Sequence, residues 1–141
     1  MAISFQNEDI QFTLPEKIKI RQWIRKIILD SEHKSKIQIN FIFCSDNFLY
    51  QINQTYLKHD TFTDIITFDY SEHKDRIEAD IFISIDRVEV NSKQYRSPFF
   101  TELKRVMIHG VLHLLGYLDK TKVQREKMRE KENECLTLYN L

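Results

Sequence analysis

The chain is poor in everything that usually punctuates or staples a fold. Among 141 residues there are only two glycines, two prolines and two cysteines. So few breaks argue against linkers and for a single domain over residues 1–141, long enough to bury roughly 68% of its unfolded surface. Cys44 sits in the apolar run FIFC and Cys135 among charged helix formers, so neither has a metal or redox spacing. Both read as free thiols of a reducing compartment. No apolar stretch escapes interruption by Lys or Arg before the ~18 residues of a membrane span, so no membrane partner is expected. MAISFQNEDIQF has no basic stretch leading into an apolar one; no signal peptide is read there, and the expected location is cytoplasmic. An excess of either charge is also missing: 21 basic residues face 21 acidic ones, so a polyanionic partner would have to meet a local patch.

What is present is a steady interleaving of strand and helix patterns. SFQNEDIQFTL reads as a first strand reaching Pro15, which suits the first turn of a helix because its missing N–H costs nothing there. In EKIKIRQWIRKIILD, Ile20, Trp23, Ile24, Ile27 and Ile28 keep helical spacing, leaving a lysine- and arginine-rich solvated face. KIQINFIF alternates as a strand, with Ile37, Ile39, Phe41 and Phe43 on one face. SDNFLYQINQTYL reads as a short helix capped by Ser45 or Asp46. DIITFDY and ADIFISID supply two more strands, the latter alternating through Ile81, Ile83 and Ile85. Three further helices are expected in RVEVNSKQY, SPFFTELKRVMIHGVLHLLG and KVQREKMREKENECLTL. The fold class is therefore α+β, a sheet of about four strands covered by helices.

One stretch breaks its own pattern. MIHGVLHLLGYLDK places His109 and His113 four apart in an apolar helix, one turn from each other on a single face. Gly116 can end that helix in left-handed geometry and fold the chain back, bringing Asp119 toward the same point. Two imidazoles and a carboxylate leave a fourth zinc position open, the pattern of a catalytic site. The competing interpretation is a pair of core histidines bonded to backbone carbonyls, with Asp119 capping the next helix. The i, i+4, i+7, i+10 spacing is also that of the metzincin proteases, where a glutamate after the first histidine is the general base. Here that position is Gly110, which argues against a zinc metallopeptidase.

At this point the sequence resembles the YbeY-type endoribonucleases, also called rRNA maturation factors. HGVLHLLGY at 109–117 looks like that family's H-G-x-L-H-L-x-G-Y signature. INQTYLKHDTFTDIITF is similar to its N-x-x-Y…D-x-x-T-D-V-L-[ST]-F block, and ADIFIS to its G-D-I-x-I-S strand. The resemblance implies a zincin-like mixed sheet and one Zn2+ per chain on His109, His113 and position 119. It further implies cleavage of single-stranded RNA in ribosomal RNA 3′-end maturation and ribosome quality control, with the small ribosomal subunit as partner. Two departures stand out. The family commonly has histidine where this chain has Asp119; a carboxylate remains a competent zinc ligand and makes bound water less acidic. The family's arginine after the tyrosine is Leu57 here, and Lys58, His59 and Lys120 are the candidates to supply the cation instead. Lys58 and His59 are candidate catalytic residues on that ground. Thr63, Asp64 and Lys120 are candidate substrate-binding residues, and Asp80 is a candidate to orient the site through a hydrogen bond. His33 and His73 lie in polar stretches and read as solvated, and KTKVQREKMREKENE as an exposed helix face. A ribosome-assembly factor with a purely structural zinc is the non-enzymatic alternative.

Overall fold

The computed structural model describes residues 2–32, 34–59 and 63–141; His33, discussed above, lies outside them. Strands β1 (Ala2–Asn7), β2 (Lys36–Cys44), β3 (Ile65–Asp69) and β4 (Arg76–Ser84) form one sheet in the order β1-β2-β4-β3. β1, β2 and β4 run parallel, and β3 pairs antiparallel to β4 as an edge strand. The mixed four-stranded sheet is the one expected. Helices α1 (Lys17–Ser31), α2 (Asp46–Tyr56), α3 (Ile85–Gln94), α4 (Phe99–Leu114) and α5 (Lys122–Tyr139) complete the described elements.

The alternation of β2 and β4 decides what lies where. Ile37, Ile39, Phe41 and Phe43, with Ile77, Ala79, Ile81 and Ile83 beside them, are buried in one core together with α1, α4 and α5. On the opposite face Leu49 of α2 packs with Cys44 and Ile66 in a smaller cluster. α4 is the most enclosed helix, burying Leu103, Val106, Met107, Ile108, Val111 and Leu112 among others. It approaches the sheet so closely that a Cβ on Gly110 would lie 2.9 Å from Ile65 Cδ1 and 3.2 Å from Ile81. The metzincin glutamate position therefore points into the sheet, where a carboxylate has no room.

Three local expectations are revised. The first strand ends at Asn7 rather than near Pro15, because Asp9 turns away to accept hydrogen bonds from the backbone and hydroxyl of Ser45. Pro15 lies just before α1, whose cap Glu16 is itself left-handed at φ 56. Ile85 opens α3 instead of ending β4, since the Ser84 hydroxyl accepts from Arg87 N–H as an N-cap. Ser45, not Asp46, caps α2. Both cysteines are buried and unpaired; burial pushes the Cys44 thiol up to about 12 and that of Cys135 to about 11. No helix among the described residues is long and apolar enough to cross a membrane.

Candidate metal centre

α4 carries His109 and His113 on its cleft-facing side, and its end is built to return the chain to them. Gly116 adopts φ 100, a conformation that costs an L side chain dearly. Gly116 N–H donates to His113 O and Tyr117 N–H to Leu112 O, both at 3.0 Å, which is the paired bonding of a Schellman motif. The same turn delivers the Tyr117 carbonyl to His113 Nδ1 at 2.9 Å. Two residues later Asp119 reaches both rings. Its Oδ2 is 3.3 Å from His109 Nε2 and 3.3 Å from His113 Nε2, and the two Nε2 atoms are 3.0 Å apart.

That triangle has the chemistry of an ion site. His109 Nδ1 lies 2.6 Å from Glu132 Oε2. An ionised carboxylate and a carbonyl can only accept, so both Nδ1 atoms donate and both Nε2 atoms present lone pairs. With both rings neutral, three lone-pair donors therefore converge on one point. Bonds of ~2.0–2.1 Å at tetrahedral angles would separate zinc ligands by roughly 3.3 Å, close to the observed edges. Among the described residues this is the one histidine–carboxylate group tight enough to hold a metal ion. Asp119 does not cap the following helix: the Thr121 hydroxyl does, in a capping box with Gln124.

Glu132 was the residue that the sequence concealed. It is 4% exposed, accepts from Arg105 Nη1 at 3.1 Å and fixes the His109 ring. Arg105 Nη2 in turn reaches Asn133 Oδ1 at 2.9 Å. α5 is therefore not simply an exposed charged helix; Met128, Glu132, Cys135, Leu136 and Tyr139 form its buried stripe. A carboxylate on the apolar stripe, four residues from Met128 and four from Leu136, was the legible signal. Burial alone would lower the pKa of His109, but the bond to Glu132 and the charges of Glu132, Asp119 and Asp64 raise it above its usual 6.5.

A cleft of about 870 Å3 opens onto the group, and His59, Thr63, Asp64 and Lys120 all line it, as does Leu57. Lys58 does not; it is exposed, with φ 56, in the turn that lets His59 N–H donate to Asn53 O at 3.1 Å. Asp64 accepts from Asn91 Nδ2 at 3.2 Å; its burial, only partly offset by His109, holds its pKa above the usual carboxylate range. Thr63 spends its hydroxyl on the Ile65 carbonyl at 3.3 Å. Asp80 does not orient the site. Strand parity places it on the face opposite Ile81, where it accepts from Asn40 Nδ2 at 2.9 Å. His73 is exposed, as expected.

Comparison with known proteins converges on one family. The family model described as Endoribonuclease YbeY matches residues 2–140. A Flavobacterium psychrophilum protein named Endoribonuclease YbeY is 52% identical over 139 residues, covering 99% of this chain and 97% of its own. One of the same name from Amoebophilus asiaticus is 53% identical, covering 89% and 85%. The solution structure of a Thermotoga maritima protein superposes with a TM-score of 0.66 at 25% identity, covering 99% of this chain and 92% of that one.

Proposed function

The chain belongs to the Endoribonuclease YbeY family, and on that premise we propose that it is a zinc-dependent, single-strand-specific endoribonuclease. Its proposed place is the cytoplasm, acting with the small ribosomal subunit in ribosomal RNA 3′-end maturation and ribosome quality control. The observation that carries the reading is the convergence of His109 Nε2, His113 Nε2 and Asp119 Oδ2 on the lining of a cleft of about 870 Å3.

These three residues would hold one zinc ion, which supplies Lewis acidity toward a phosphodiester. Glu132 and the Tyr117 carbonyl fix the imidazole tautomers and orientations. Lys120 lines the cleft and would hold a phosphate, the role for which Leu57 offers nothing. His59, which lines the same cleft, would carry a proton to or from the ribose–phosphate backbone. The arrangement leaves Gly110 without a general base, which favours phosphodiester over peptide chemistry.

The test is cleavage of a labelled single-stranded RNA by purified protein. Activity should stop with chelator, return with zinc and be absent on the matching duplex. Binding should weaken with salt, with a log–log slope on the order of −2 to −3 for three or four phosphate contacts. Chelator-resistant cleavage would point to a contaminating nuclease and sink the reading.

A further inference from the structure

A second cavity, of about 330 Å3, meets the main cleft at a shared wall of Asp64, Ile65, His109 and Asp119. Its volume falls within the range of small-ligand sites. Glu102 lines it, two helical turns before His109 on the same side of α4. This glutamate is 5% exposed. Burial raises its carboxyl above the usual range, and its neighbours act only through charge: Arg105 and Arg129 favour the ionised form, Asp64 and Glu132 oppose it. No described residue hydrogen-bonds the carboxylate. Every fully occluded side-chain N or O among the described residues has a partner, so the carboxylate keeps its small exposure to the cavity.

Such an acceptor calls for a ligand with matching donors. A metal is not that ligand, because the acidic groups here are not clustered tightly enough among the described residues. Arg125, whose Nη1 donates to the Lys120 carbonyl at 2.8 Å, and the half-exposed Arg129, whose Nη1 lies 4.0 Å from Glu132 Oε1, line the same cavity with further N–H groups to offer. Tyr95, 56% exposed, lines it too. A carboxylate set beside guanidinium groups matches one nucleobase. Guanine offers N1–H and N2–H side by side to a carboxylate, and O6 and N7 to an arginine. Adenine and cytosine would turn a ring-nitrogen lone pair toward the carboxylate, and uracil would flank its single N–H with two carbonyls. Tyr95 supplies a face for stacking, the usual companion of edge recognition in single-stranded RNA.

We propose that this cavity is a guanine subsite for a nucleotide next to the scissile phosphate, with Glu102 accepting from N1–H and N2–H of the base. The proposal rests on the reading of the centre as a ribonuclease site, and two measurements keep the two separable. The first uses zinc-loaded full-length protein and oligoadenylates carrying one guanosine or one inosine at the same position. Inosine lacks the N2 amine, so the bond beside guanosine should be cut roughly 10- to 100-fold faster, the worth of one hydrogen bond to a charged acceptor. In Glu102→Gln the guanosine-to-inosine ratio should fall toward one, whatever the absolute rate. Equal cleavage of the two oligonucleotides by the unaltered protein overturns the subsite, even if the variant does not fold. The second measurement is calorimetric binding of 5′-GMP and 5′-IMP to the same protein, which stands if no RNA is cleaved. Tighter binding of 5′-GMP supports the subsite; equal affinities, or no binding of either, overturn it.

Discussion

The two walls of the main cleft are built on different principles. On the α4–α5 wall each imidazole is tethered through its second nitrogen, and the tether of His109 is itself held: Arg105 to Glu132 at 3.1 Å, Glu132 to His109 at 2.6 Å. On the α2–β3 wall, His59 and Leu57 sit in a turn, and the bonds from Thr63 to the Ile65 carbonyl and from Asn91 to Asp64 are longer, at 3.3 and 3.2 Å. The first wall fixes both imidazoles before anything binds, so little reorganisation of the rings remains when charge develops. The second presents single side chains that a flexible strand can meet in more than one register. On the proposed function the rigid wall would do the chemistry and the looser one the gripping, and substitutions should separate them.

The largest effect is expected on the rigid wall. His113→Ala leaves two ligands and should reduce zinc from about one per chain to near zero, measured by elemental analysis after dialysis. Asp119→Ala should do nearly the same, whereas Asp119→His should retain zinc, because Gly116 sets the chain reversal for either side chain. Full zinc in Asp119→Ala would move the third ligand elsewhere, with His59 the first place to look.

Removing a tether rather than a ligand should cost less. Glu132→Gln keeps the shape but loses the charge opposite His109, and metal affinity should fall roughly 10- to 100-fold. Its pH dependence sharpens the point. In the metal-free protein the raised pKa of His109 means that its protonated form stabilises the fold. That contribution is full below its ordinary 6.5 and is lost as pH rises through the raised value. Zinc must displace this proton, so uptake should weaken at low pH and release a proton on binding. Glu132→Gln should shift the pH midpoint of zinc uptake downward even as the plateau affinity drops. An unchanged midpoint would mean that Glu132 does not control the ring.

Gly116→Ala comes next. Nothing lies within 4 Å of the added methyl, so the cost is purely of backbone geometry, about 1–2 kcal/mol of stability by denaturant titration. Zinc should still bind in the folded fraction.

The rigid wall was also the more legible in the sequence, and for physical reasons. Helical spacing fixes His109 and His113 on one face without knowledge of the rest of the fold, and a glycine three residues on announces the turn. Glu132 keeps helical spacing with Met128 and Leu136, but its role depends on how α5 docks against α4, and among KMREKENECL its residue type alone does not separate it from exposed neighbours. Asp80 failed for a simpler reason: a strand's parity is set by the sheet, and one residue's difference puts a carboxylate on the wrong side. The first strand ends before its sequence pattern does because the bond from Ser45 to Asp9 joins positions 36 apart. Local patterns carried the ligands; tertiary contacts carried what holds them.

The smallest effect should come from the looser wall, at Leu57. This side chain is 42% exposed on the cleft, where the resemblance implies an arginine. Leu57→Arg restores a cation at a position already open to solvent, so little stability should change. If the wall grips phosphate, one added contact should steepen the salt dependence of single-stranded RNA binding by about 0.7 in log–log slope. Zinc content should stay the same, since Leu57 is not part of the His109–His113–Asp119 group. Lys120→Gln should flatten the slope by a similar amount, and the double variant should return close to the parent value. Such compensation would show that the cation can be supplied from either side of the cleft. If Leu57→Arg tightens binding without changing the slope, the arginine is stacking on a base rather than pairing with a phosphate, and the wall reads nucleobases instead of the backbone.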